Sequence, residues 1–170
     1  MMLQHRSGIP NSVDHPDWNW GEPPSDLEGY LAFALDEPAS FEPDSRYGYS
    51  NTNYLLIGNI LDKVLGYSHH QYIQDEILSP LGLTNTYSLL SEVNLDDVFS
   101  GYHHDIEPDV KEIDYIGPGG SMIATAQDVG IFLRALIDGS LLSEDEQSMY
   151  SSIYEYEHTG WVLGYQSIAR

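Results

Sequence analysis

The chain has 170 residues, 41% of them hydrophobic, enough for one domain with a real core. Its 27 acidic and 6 basic side chains leave a net charge of −21, and its only lysines are Lys63 and Lys111. Phosphate binding needs clustered Lys and Arg, so this composition argues against nucleic acid and against an anionic membrane surface as partners. The lack of cysteine removes disulfides, thiolate metal sites and a Cys nucleophile. No run of 18 apolar residues predicts a transmembrane helix, and Met1-Met2-Leu3-Gln4-His5-Arg6 has no apolar signal-peptide region. The acids are spread along the chain, which fits either a salt-adapted surface or an acidic surface of no special meaning.

Residues 7–26, rich in Gly, Pro, Ser, Asp and Trp, read as a loop that Trp18 and Trp20 pack down. Helical spacing of apolar groups follows over 26–36. A strong helix is predicted from about 52 to 65, with Tyr54, Leu55, Ile57, Gly58, Leu61, Val64 and Leu65 on a broad apolar face and Gly66 as its stop. Ser68 caps a second helix to about Ile77, ended by Pro80-Leu81-Gly82-Leu83. Residues 84–116 have no clear period beyond an extended piece at Thr86-Tyr87-Ser88. Gly117-Pro118-Gly119-Gly120 reads as a tight structural loop, matching neither phosphate-binding fingerprint. Thr125-Ala126-Gln127-Asp128 is a capping box for a helix to about Ile137, whose apolar face is Val129, Phe132, Leu133, Leu136 and Ile137. Ser143-Glu144-Asp145-Glu146 is a second capping box, and Trp161 to Ile168 is extended around Gly164.

Tyr49-Ser50-Asn51 stands at the start of the strong helix. A phenol titrates near 10 and serves as a base only where a cation lowers that value. Asn51 both donates and accepts, which suits gripping a substrate amide and a neighbouring side chain. On residue types alone the segment reads first as a buried Tyr beside an ordinary N-cap, Asn51 or Thr52. In His158-Thr159-Gly160, the glycine would let a substrate backbone approach a strand edge, and the next amide, at Trp161, would point at an oxyanion. The pairs His69-His70 and His103-His104, the latter followed by Asp105, make poor chelates because adjacent side chains diverge. They, with His5 and His15, are expected to be solvent-exposed, and no metal site is predicted.

Taken together, His5-Arg6-Ser7-Gly8-Ile9-Pro10, Asp44-Ser45-Arg46-Tyr47-Gly48-Tyr49-Ser50-Asn51-Thr52-Asn53-Tyr54, Pro80-Leu81-Gly82-Leu83, Gly119-Gly120-Ser121-Met122-Ile123-Ala124-Thr125-Ala126-Gln127-Asp128 and His158-Thr159-Gly160-Trp161 resemble the class C β-lactamase-like family of penicillin-recognising serine hydrolases. Their order and spacing match the family across nearly the whole chain. The resemblance implies an α+β fold of the β-lactamase/transpeptidase type, and an acyl-enzyme reaction on an amide, lactam or ester that needs no cofactor. It implies Tyr49 as general base or proton shuttle, Asn51 as a contact to substrate and lysine, Thr159 as a substrate contact, and the Trp161 amide as half of an oxyanion hole. His158 stands where other members carry Lys, a variant of carboxypeptidase- and esterase-like members. The partner implied is a small-molecule or peptide substrate, and the location periplasmic or extracellular.

The family's remaining motif is Ser-x-x-Lys, nucleophile and cation together. No serine here has Lys three residues on; Ile60 and Pro108 stand three before Lys63 and Lys111. The expectation is a fragment that is inactive alone. Residues 1–150 would be mainly the helical domain, carrying Tyr-x-Asn. Residues 151–170 would be strands of the antiparallel sheet, carrying His-Thr-Gly. The alternatives are a non-catalytic penicillin-binding-like module that binds peptidoglycan-type ligands or a protein, and an interaction protein of unrelated fold. In the last case Tyr49, Asn51 and His158 would lie far apart.

Overall fold

The computed structural model describes all residues except 105–108, 118 and 155. Asp105 and Pro118 of the sequence motifs therefore lie outside the described residues. Five α-helices and two small antiparallel sheets are present among those described. They are α1 (Leu27–Ala32), α2 (Asn51–Leu65), α3 (His69–Ile73), β1 (Thr86–Tyr87), β2 (Ile123–Ala124), α4 (Ala126–Asp138), α5 (Glu144–Ile153), β3 (His158–Val162) and β4 (Tyr165–Ala169).

Local chemistry accounts for most boundaries. Asp26 caps α1 by accepting the Gly29 N–H at 2.8 Å. Helix α2 stops at Gly66 and α4 at Gly139, both left-handed, with φ of 78° and 79°. Ser68 caps α3, whose axis continues as a π-type turn over Gln74–Leu78. Ser143 and Glu146 form the reciprocal capping box of α5. The box expected at Thr125 is only half made. Thr125 accepts the Asp128 N–H, but the Asp128 carboxylate turns away to accept from Asn85 N and Thr86 Oγ1, both at 2.9 Å. It thereby ties α4 to β1, which pairs with β2.

The core gathers Tyr30, Ala34, Leu55, Leu78, Leu83, Ala135 and Leu136 from the helices and the segments flanking them, with Leu163 buried in the turn of the second sheet and Val110 against that turn. The buried stripe of α2 differs from the predicted one. It runs through Thr52, Asn53, Leu55 and Gly58, where α1 and the N-terminal segment pack, while Leu61 and Val64 stay exposed. On α4, likewise, Leu136 and Ala135 are buried but Val129 and Ile137 are exposed. Trp18 and Trp20 do hold down the 7–26 loop: Trp18 meets Tyr30 and Phe33, and Trp20 meets Tyr115 and Trp161. Among the described residues no helix is long and apolar enough to cross a membrane.

Two expectations about histidines are overturned. His5 and His69 are buried, at 8% and 9% exposure. Each ring has one nitrogen engaged, the His5 Nδ1 by the Ser50 N–H at the start of α2 and the His69 Nδ1 by Asp62 Oδ1 at 2.8 Å, while the His69 Nε2 is buried without a partner among the described residues. The rings of His69 and His70 also lie close rather than diverging, with centroids 4.1 Å apart. Burial opposes ionisation of Asp62, but the backbone N–H and imidazole of His69 outweigh it and hold the carboxyl below its usual range.

Candidate active site

The N-terminus of α2 is built by a segment forty residues away in sequence. Ser50 stands at the N-cap but makes no side-chain cap; its hydroxyl donates to Pro10 O at 3.1 Å. The exposed end of the helix is instead satisfied by Asn11, whose Oδ1 accepts the Asn51 N–H at 2.9 Å. Ser12 N donates to Thr52 Oγ1 at 2.9 Å, and Ser7 Oγ donates to Asn53 Oδ1 at 2.6 Å. Ser12, Ser50, Thr52 and Asn53 are almost completely buried, so this is a polar core, held by these bonds although the Ser12 hydroxyl itself is left unpaired among the described residues. It fixes where Tyr49 and Asn51 stand.

Both line a cleft of about 730 Å³. Tyr49 is 45% exposed, and its hydroxyl lies 3.4 Å from Asn51 Oδ1. The Asn51 amide also donates from Nδ2 to Asn11 Oδ1 at 3.2 Å. Burial, then Tyr47 and Tyr54, push the Tyr49 phenol above its usual value, the opposite of what a base requires. The loop carrying Gly117, Gly119 and Gly120, read from sequence as structural only, supplies another wall of the cleft. A methyl on Gly119 would sit 3.5 Å from Tyr54 Cβ and 3.9 Å from Asn51 Oδ1.

Across the cleft runs β3. His158, Thr159 and Trp161 line it, whereas Gly160 does not. A Cβ at Gly160 would stand 2.4 Å from Ser167 Oγ, so the missing side chain leaves room for that serine of β4. Leu163 and Gly164 form the two-residue connection between the strands, with Val162 opposite Tyr165. That flanking pair is hydrogen-bonded, and pairs alternate along an antiparallel ladder. Trp161 and Thr159 therefore fall in the non-bonded positions, with their N–H groups directed away from β4 toward the other edge of β3. Trp20 meets the Trp161 indole edge-to-face at 5.0 Å and 86°.

Tyr49, Asn51, His158, Thr159 and Trp161 thus border one cavity, although more than a hundred residues separate the two motifs. This excludes the expectation that a fold of unrelated type would hold them apart. A profile of the Beta-lactamase family matches residues 1–166. The chain belongs to the Beta-lactamase family. Penicillin-binding protein 4* of Bacillus subtilis (strain 168) is 28% identical over 192 aligned residues, which cover 95% of this chain and 42% of the relative. The D-amino acid amidase of Ochrobactrum anthropi SV3, solved with D-phenylalanine, superposes with a TM-score of 0.73 at 25% identity, covering 86% of this chain and 46% of that one. A D-stereospecific amidohydrolase from Streptomyces sp. gives 0.80 at 23% identity over 99% of this chain and 58% of the other, a likeness of fold. The fold is thus of the β-lactamase/transpeptidase type, an α+β part of it. The chain spans less than half the length of the relatives it matches in sequence.

Sequence reasoning missed several neighbours of the site. Asn11 carries no motif of its own; only its place after Gly8-Ile9-Pro10 hints at a role. Trp20 reads as a packing residue and Tyr115 falls in the stretch without a clear period, yet both line the cleft, and the Tyr115 hydroxyl donates to Trp20 O at 2.8 Å. Burial pushes the Tyr115 phenol up to about 12, which keeps it a donor. Among the described residues no group of three or more His, Asp or Glu side chains is placed to hold a metal ion.

Proposed function

We propose that the protein carrying these residues is a serine hydrolase that acylates itself with an amide, lactam or ester and then hydrolyses the acyl-enzyme. The observation that carries this reading is the shared cleft: a phenol and a carboxamide on one wall, strand β3 with His158, Thr159 and Trp161 on the other. Residues 1–150 supply the first wall and residues 151–170 the second. A serine Oγ attacks the carbonyl carbon and its proton passes to Tyr49, held as phenolate by the neighbouring lysine cation. The oxyanion forms against the Trp161 N–H, and Asn51, His158 and Thr159 hold the substrate. Gly160 lets β3 lie close on β4. Tyr49 returns the proton to the leaving nitrogen or oxygen, and water repeats the cycle on the ester. No cofactor enters.

This chemistry demands two things that the 170 residues do not contain, a Ser-x-x-Lys nucleophile and the cation that makes Tyr49 a base. Without that cation burial keeps the phenol above its usual value, so Tyr49 takes up the serine proton only where the lysine stands beside it. The amidase named above favours D-amino acid amides among the substrates. The test is expression of the reading frame including the sequence upstream of Met1, assayed with nitrocefin, a p-nitrophenyl ester and D-phenylalanine amide. Turnover, with a covalent acyl adduct on a serine, is the expected result. Tyr49→Phe should lower kcat by about 10²–10⁴-fold. No turnover and no adduct, with D-phenylalanine still bound, would instead support a non-catalytic binding module.

A further inference from the structure

His5 makes more than a packing contact with the site. Its ring lies against Tyr49 with centroids 4.2 Å apart and planes at 30°, and Tyr54 and Tyr47 close two further sides at 5.4 and 5.8 Å. Its backbone is left-handed, with φ of 53°, which is uncommon for a side chain of this size. That conformation turns the residue so that its carbonyl accepts the Gly48 N–H at 2.8 Å while its ring accepts the Ser50 N–H at 3.2 Å. The segment on both sides of Tyr49 is thereby clasped by one residue. The Asn53 amide nitrogen lies 3.4 Å from the same ring atom, Nδ1. A backbone N–H has only a proton to offer, so Nδ1 presents its lone pair and the ring proton is on Nε2.

We propose that His5 is a positioning residue for Tyr49: its neutral ring is the shelf for the phenol, its Nδ1 lone pair fixes the Tyr49–Ser50 peptide, and protonation of the ring disengages the tyrosine. The proposal rests on the reading that Tyr49 acts on substrate. The groups facing the ring are Tyr47 and Tyr49 from the preceding loop, Asn53 and Tyr54 from α2, and His158 from β3. The neighbouring cation, Arg6, is engaged with Asp44 at 2.6 Å. Protonating Nδ1 would set N–H against N–H at Ser50 and Asn53. Burial, then His158, hold the imidazole below its usual 6.5. The unfolded chain therefore takes up this proton first as pH falls. The contribution of His5 is complete above 6.5 and is lost as pH drops through the depressed folded value.

The experiment has two arms. In the protein expressed from the full reading frame, kcat/KM for a p-nitrophenyl ester is followed against pH for the wild type, His5→Asn and His5→Phe. Asn keeps an acceptor near the Nδ1 position but cannot be protonated, so activity should persist with the acid limb below 6.5 removed. Phe keeps the shelf but strands the Ser50 N–H, so kcat should fall, by up to about 10²-fold, with KM little changed. An acid limb that survives in His5→Asn belongs to another group and overturns the proposal. In the second arm, ¹⁵N NMR of the 170-residue chain follows His5 and the Tyr49 ring together. The Nε2–H form titrating below 6.5, with Tyr49 resonances moving in step, is expected. An Nδ1–H form, or a Tyr49 ring indifferent to His5, also overturns it. If the wild type turns over no substrate, the hydrolase reading fails while this second arm still decides the coupling.

Discussion

A carboxylate at the third position of a helix ordinarily reaches back to its own N-cap, and Asp128 does not. It is 4% exposed, and its Oδ2 accepts both the Asn85 N–H and the Thr86 hydroxyl. Removing it strands two donors, at about 1–3 kcal/mol for each that stays buried and unpaired. Asp128→Ala should therefore lower stability by about 3 kcal/mol, read from the midpoint of urea unfolding at constant slope. Asp128→Asn, which keeps an acceptor in the same place, should cost less than half as much. Equal losses in the two variants would show that the charge, not the acceptor, holds β1. At this scale the sequence was readable where one residue type implies one act. Thr125 and Ser143 cap as such residues do, and Tyr49 and Asn51 stood out by chemistry. What could not be read were contacts made across the fold. His5 beneath Tyr49, Asn11 at the start of α2 and Asp128 on β1 all depend on partners about forty residues away, and no spacing rule encodes them.

Elements were legible in proportion to their length and their punctuation. Helices α2, α4 and α5 carry enough turns for a period to appear, and Gly66 and Gly139 mark two of their ends. Strand β1 is two residues long, and its partner β2 lies far along the chain, beyond the reach of any local pattern. The predicted apolar faces of α2 and α4 were too broad because periodicity shows which residues share a face, not how much of it a neighbour covers. Two glycines of matching φ separate backbone strain from packing. Gly66 ends α2 at 78°, and a methyl added there would meet nothing within 4 Å, so Gly66→Ala should cost only the left-handed penalty, about 1–2 kcal/mol. Gly164 turns β3 into β4 at 79°, and there a methyl would meet Val110 Cγ2 at 2.4 Å and Tyr102 N at 3.0 Å. Gly164→Ala should add about 1–3 kcal/mol of overpacking to the same penalty. Under the proposed function it should also lift β3 and weaken ligand binding in the cleft, whereas Gly66→Ala should leave that binding unchanged. Calorimetric unfolding and a ligand titration on both variants test the pair, and equal thermal losses would refute the packing argument.

At the scale of the whole molecule the dominant fact is the charge of −21, with few cations to offset it. Arg6 pairs with Asp44 and Arg134 reaches Asp138, both on the surface, where such pairs contribute little. The remaining acids repel one another in the compact state more than in the expanded one, so screening should stabilise the fold. The screening length shrinks from about 10 Å at 0.1 M salt to about 3 Å at 1 M. The midpoint of thermal unfolding should therefore rise over that range, and KCl and NaCl should act alike because only ionic strength matters. Reversing exposed acids that make no structural bond, as in Asp36→Lys and Glu76→Lys, should raise the midpoint at low salt and flatten its salt dependence. A midpoint that responds to sulfate but not to chloride would point to surface exclusion instead of screening. A flat response to both would mean that the acidity is carried without cost to the fold. Under the proposed function the same titration bears on the cleft: a neutral ester should bind independently of salt, whereas a cationic D-amino acid amide should bind more weakly as salt screens the field that draws it in.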